Sequence, residues 1–195
     1  MGKVLADRLA RELNLPVEWL NIEIHPETPP QGRSIRELFP ASSVEGMYVH
    51  LNEMGKQYGL KFSAHDWLSN SRLSILLGEY IHLNAPEHEE NYHEAVFKAY
   101  LTEGQNIGDQ ETLSAILQQL GLKSDILSLA LSDASSKARM QENSHSAIRE
   151  QVTGTPTFFI GKERVFGAQP YPSLLAAARR ALGLAPNNPN DLPLL

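Results

Sequence analysis

Val152-Thr-Gly-Thr-Pro-Thr-Phe-Phe-Ile160, followed by Gly161-Lys-Glu-Arg-Val-Phe-Gly-Ala168, decides how this chain is read. Phe158 and Ile160 alternate with Thr157 and Phe159, and Val165-Phe166 answers them beyond a tight Gly161-Lys162-Glu163 connection. That pattern predicts a hairpin. Pro156 has no N–H to give a ladder, so it belongs at the start of an edge strand or in a turn. A cis Thr155–Pro156 bond is one way to make that turn. About 5–6% of X-Pro bonds in folded proteins are cis, so the local sequence leaves the isomer open.

Around this stretch, 195 residues with 42% hydrophobic and 21% charged content have the make-up of a soluble globular protein. The length suffices for one domain, or for one domain with a large insertion. The net charge of −6 and the scattered cations argue against a nucleic-acid surface. The adjacent pair Arg179-Arg180 reads as cations near a helix end. No apolar run approaches the roughly 20 residues of a membrane helix. The start, Met1-Gly2-Lys3, shows no signal pattern, and a cytoplasmic location is expected. The cysteine count is zero, which removes structural disulfides, thiolate metal sites and thiol catalysis from these residues.

Along the chain, Val4, Leu5, Leu9 and Leu13 predict a helix that Pro16 cannot continue. Residues 17–24 read as a strand, with Leu20, Ile22 and Ile24 on one face and Trp19 on the other. Residues 25–32 form a proline-rich exit loop. From about 33 to 152 the pattern is helical. Ser43 is expected to cap a helix that turns Val44, Met47, Leu51, Met54 and Tyr58 inward. Asn70-Ser-Arg72 opens another around Leu73, Leu76, Leu77, Tyr80 and Ile81. A helix from Pro86 is expected to bury Tyr92, Val96, Phe97 and Tyr100. Asp109 caps one that buries Leu113, Ile116, Leu117 and Leu120. The last helix before the proline turn offers Ala134, Ala138, Ile148 and Val152 as its apolar set.

The Thr-Pro turn, the hairpin, Gly167-Ala168-Gln169-Pro170 and a closing helix together resemble the second half of a DsbA-like thioredoxin domain, its FrnE-like branch in particular. The helix, strand and Pro-x-x-Pro-Pro-x-Gly loop of residues 3–32 resemble the segment just past the Cys-x-x-C motif in that family. Asn70-x-Arg72, Ala95–Gly104 and Ile107-Gly-Asp109 resemble its inserted helical domain. The resemblance implies an α/β, thioredoxin-like fold with a large all-helical insertion. Residues 1–32 and 153–184 would form the thioredoxin-like part, 33–152 the insertion, and 185–195 a flexible tail. The first, central strand and the Cys-x-x-C motif are expected to be absent from these residues.

The same resemblance bears on function. It implies a thiol–disulfide oxidoreductase acting on protein or peptide substrates, with Thr155 and Pro156 in the substrate-binding place and no catalytic cysteine. No cofactor is expected. One alternative is a glutathione-dependent isomerase or transferase of the same fold. Such proteins usually carry Asp-Arg where this chain has Gln169 and Pro170. Another is a non-enzymatic binding or assembly module, and open sheet edges make a homodimer the expected assembly. His82, His88 and His93 among Glu87, Glu89 and Glu90 lack the i, i+4 pairing of a helix-borne metal site, so no metal is expected. Ser63, His65 and Asp66 lack the glycine pattern of a nucleophile elbow.

Overall fold

In the computed structural model, which describes residues 1–184, α1 (Gly2–Leu13) is followed by β1 (Arg33–Ser34), α2 (Ala41–Lys56) and β2 (Trp67–Leu68). Next come α3 (Arg72–Asn84), α4 (Glu89–Phe97), α5 (Gln110–Gln119), α6 (Ile126–Ser132) and α7 (Ala134–Arg149). The chain closes with β3 (Thr157–Ile160), β4 (Glu163–Phe166) and α8 (Tyr171–Ala181). The tail expected at 185–195 lies outside the described residues. Two compact units result: Met1–Trp19 with the described part of Glu150–Leu195, and Leu20–Arg149.

In the first unit, Leu5, Ala6 and Leu9 form the buried stripe of α1, packed on α8, whose Leu174, Ala177 and Ala178 are likewise buried. Burying each such leucine stabilises the unit by about 1.5–3 kcal/mol. Asn14, at φ 51, ends α1 by donating its amide to the Ala10 carbonyl. The hairpin pairs Thr157 with Phe166, Phe158 with Val165, Phe159 with Arg164 and Ile160 with Glu163. Its turn is therefore Gly161-Lys162, with Glu163 already in the strand. Gly161, at φ +58, occupies the left-handed position such turns require.

The second unit is built around α3. Leu77, Ile81, Leu113 and Leu117 are fully buried there, with Tyr92 beside them. The Tyr92 hydroxyl donates to the Ser74 carbonyl at 2.7 Å, and burial pushes its pKa well up. Asp109 caps α5 as expected, accepting from the Thr112 amide at 3.2 Å. β1 and β2 form a minimal antiparallel pair, Arg33 opposite Leu68.

Four expectations are corrected. Residues 17–24 carry no strand hydrogen bonds, and Leu20 is 48% exposed. A strand exists only through a paired strand, and among the described residues no strand pairs with these. Residues 20–32 cluster with the helical unit. Asn21 donates to Glu79, Arg72 holds Glu23, and Asn70 donates to the Thr28 carbonyl. Met47 and Phe97 are exposed rather than inward, and α2 starts at Ala41 after Pro40, ahead of Ser43.

The fourth correction is the most instructive. Ile148 on α7 is exposed, as are Ala134 and Ala138, and the buried residues of that helix are Ser136 and Asn143. The reason is Glu79, only 1% exposed on α3. Its carboxylate accepts from Arg139 Nε at 2.7 Å, from Asn143 Nδ2 at 2.9 Å and from Asn21 Nδ2 at 2.9 Å. A buried charge is tolerated when it is paired and its lone pairs are satisfied, so α7 turns a polar face inward. Glu79→Ala removes the carboxylate that accepts from Arg139, Asn143 and Asn21. It is expected to cost about 3–5 kcal/mol in urea denaturation of the helical unit, with Glu79→Gln costing less. A Glu79→Ala protein as stable as the parent would contradict this account of the core.

Candidate functional site

Two glycines give the Pro156 turn its close contacts. A Cβ on Gly2, the first residue of α1, would lie 2.7 Å from Pro156 Cβ and 3.0 Å from its Cγ. A Cβ on Gly154 would lie 3.1 Å from Cζ of the Phe166 ring. The Thr155–Pro156 peptide bond is cis. The start of α1, the turn and β4 are thereby in direct contact within the first unit.

Hydrogen bonds fix the turn on both sides. Arg164 Nη2 donates to the Gln151 carbonyl at 2.6 Å, holding a residue at φ 52. Thr157 Oγ1 donates to the Gly154 carbonyl at 2.8 Å. The Gly167 amide donates to the Pro156 carbonyl at 2.8 Å, with Gly167 at φ +78, where a side chain would be strained. Gln169 Nε2 donates to the Phe166 carbonyl at 3.0 Å. Thr155, like Val152 and Thr153, is not held in this way. It is exposed, and among the described residues its amide and carbonyl have no hydrogen-bond partner.

The faces of the hairpin are unequal. Phe158, Ile160, Glu163 and Val165 share the half-buried face, and α8 packs against both strands. Thr157, Phe159, Arg164 and Phe166 share the other, where Phe159 is 47% and Phe166 53% exposed. Below the turn, α1 and α8 are tied by Tyr171, whose hydroxyl donates to Glu12 Oε2 at 2.6 Å while the Arg8 guanidinium lies 3.7 Å over its ring. Burial, then the Glu12 carboxylate, pushes the Tyr171 phenol up to about 12, so it remains a donor near neutral pH.

The other sequence candidates do not converge. His82 Nδ1 pairs with Glu89 at 3.0 Å, His88 Nε2 lies 3.8 Å from Glu87, and His93 is buried beside Tyr92. Ser63 donates to the Thr102 carbonyl, His65 Nδ1 to the Trp67 carbonyl, and Asp66 pairs with Arg36. Sequence reasoning found Thr155 and Pro156 but missed Gly2, Gly154, Arg164 and Gly167. The glycines flanking the run were the available signal. Nothing local announced that Gly2 closes onto residue 156.

What the arrangement can do is limited and specific. A free backbone donor and acceptor at Thr155 can pair with one residue of an extended polypeptide. Thiol–disulfide exchange needs a thiolate, and the four methionine thioethers cannot supply one.

Comparison with known proteins agrees with this geometry. The family model described as a DSBA-like thioredoxin domain matches residues 2–179. The uncharacterized protein YwbO of Bacillus subtilis (strain 168) is 26% identical over 174 residues, covering 86% of this chain and 83% of that one. The crystal structure of a probable DsbA oxidoreductase from Streptomyces coelicolor superposes with a TM-score of 0.79 at 18% identity, over 100% of this chain and 87% of the other. A 2-hydroxychromene-2-carboxylate isomerase structure gives 0.67 at 22% identity, over 93% and 88%. At such identities the structural likeness speaks for the fold alone.

Because the Pro156 ring cannot swing aside as a flexible side chain would, Gly2→Ala must displace the turn or the helix end. It is expected to shift the amide resonances of Thr155 and Thr157 and to destabilise the first unit by about 1–3 kcal/mol. Unmoved resonances with unchanged stability would contradict the contact. With a family match spanning residues 2–179, the chain belongs to the DSBA-like thioredoxin domain family.

Proposed function

We propose that this chain is a thiol–disulfide oxidoreductase family protein whose 195 residues supply the surface that holds a protein or peptide client, and that sulfur exchange itself lies beyond these residues. The observation that carries the reading is Thr155. It is exposed and unpartnered among the described residues, yet its neighbours at Gln151, Gly154 and Pro156 have their carbonyls fixed by Arg164, Thr157 and Gly167. A turn held at Gln151, Gly154 and Pro156 that leaves the Thr155 backbone free is suited to aligning an extended segment. An extended client gains backbone hydrogen bonds there without asking the turn to reorganise.

The chemistry divides accordingly. In exchange, a thiolate attacks one sulfur of a disulfide and the other sulfur leaves as a thiolate. Nothing in a cysteine-free chain can take the attacking role. The isomerase-like reading of the fold is less well supported, because Gln169 and Pro170 stand where Asp-Arg is usual and the Gln169 amide is spent on the Phe166 carbonyl.

Two measurements on the 195-residue chain test the two halves of this reading. It is expected to leave the reduction of insulin by dithiothreitol at background, and clear acceleration would overturn the claim of missing exchange. Photoreactive benzoylphenylalanine in place of Thr155 is expected to cross-link a labelled, alkylated unfolded polypeptide several times more strongly than the same probe at Ile148, a position 73% exposed. Equal capture at both positions would overturn the client-holding role.

A further inference from the structure

The helical unit carries an open trough along α2 that the client-holding site does not use. It encloses about 460 Å³ between the helix and Ala64, and its lining is mostly apolar. The polar groups of its floor are already committed. The Tyr48 hydroxyl donates to the His65 carbonyl at 3.1 Å. The Asn52 amide donates to the Tyr48 and Phe62 carbonyls at 2.9 Å each and accepts from the Phe62 amide at 2.9 Å.

What the trough still offers is Val49, 66% exposed, and the carboxylates of Glu45 and Glu53. Both glutamates are exposed, and neither has an ion-pair or hydrogen-bond partner among the described residues. Glu45, Val49 and Glu53 recur every fourth position, so they share one stripe of the helix. At 1.5 Å per residue, successive members are about 6 Å apart along the axis, and the two glutamates about 12 Å. An apolar floor between two unneutralised carboxylates complements an apolar side chain between two cations.

The spacing narrows the occupant further. In an extended chain, side chains at i, i+2 and i+4 share a face and advance about 6.6 Å per pair of residues, close to the step of the α2 stripe. We propose that this trough docks an extended polypeptide segment of the pattern cation-x-apolar-x-cation, its cations meeting Glu45 and Glu53 and its apolar side chain seating on Val49. The partner is thus a basic, amphipathic stretch of another protein, recognised by charge spacing rather than by sulfur. This docking is independent of the Thr155 site.

The test titrates the chain, carrying methyl-labelled valine, with the blocked peptide Lys-Ser-Leu-Ser-Lys. Saturable movement of the Val49 methyl resonances is expected. Affinity should fall about fivefold in the Glu45→Gln/Glu53→Gln double variant, in keeping with two exposed ion pairs. Both glutamates are solvent-facing, so that variant is expected to fold as the parent does. No movement of Val49 at millimolar peptide would overturn the proposal, as would undiminished binding by the double variant. Equal binding of a peptide with its two lysines adjacent would reduce the effect to bulk charge and overturn the spacing. Equal binding of a helical peptide with cations at i and i+8 would overturn the extended conformation. Thr155 takes no part in this titration, so failure here is distinguishable from failure of the client-holding site.

Discussion

The first unit depends on a backbone constraint at Pro156. Proline brings no N–H to a ladder, and its carbonyl is taken by the Gly167 amide at 2.8 Å. The residue can therefore neither extend β3 backwards nor donate to a neighbour. It closes the turn, and the chain before it must find other ways to satisfy its polar groups. Arg164 and Thr157 do so for Gln151 and Gly154, at 2.6 and 2.8 Å. Thr155 is left over. Its backbone is free, as are those of Val152 and Thr153, and the proposed client contact is placed at Thr155, next to the fixed Pro156 carbonyl.

Much of this was legible in the sequence, and the failures share a physical cause. The hairpin follows from the alternation of Thr157–Ile160 and from Gly161, because strand period and turn chemistry are local properties. Asp109 as a cap and Leu113, Ile116 and Leu117 as a buried stripe were readable for the same reason. Residues 17–24 have the alternation of a strand, but a strand is a relation between two segments, and periodicity is silent on the partner. On α7 the rule that apolar faces turn inward fails outright. Glu79 is buried on another helix, and the inward face of α7 must then supply Arg139 and Asn143. A single-sequence pattern cannot announce that a glutamate some sixty positions away will be buried.

The candidate site shows the same division. Thr155 and Pro156 were identifiable because the turn is encoded in a few consecutive residues. Gly2 was not, because its importance lies in the missing Cβ that would stand 2.7 Å from the Pro156 ring. Sulfur sets the boundary of what the fold can do. On the proposed reading, a DSBA-like thioredoxin scaffold without cysteine aligns a polypeptide and lacks the nucleophile that would act on it. Recognition and exchange are separable physical tasks, and the proposal assigns these residues the first.

Amide hydrogen exchange, resolved residue by residue, tests the central claim most directly. The Thr155 amide is expected to exchange fast in the free chain while the Gly167 amide, held by the Pro156 carbonyl, is protected, and an extended alkylated client should slow Thr155 selectively. A Thr155 amide already as protected as that of Gly167 without any client would contradict the account.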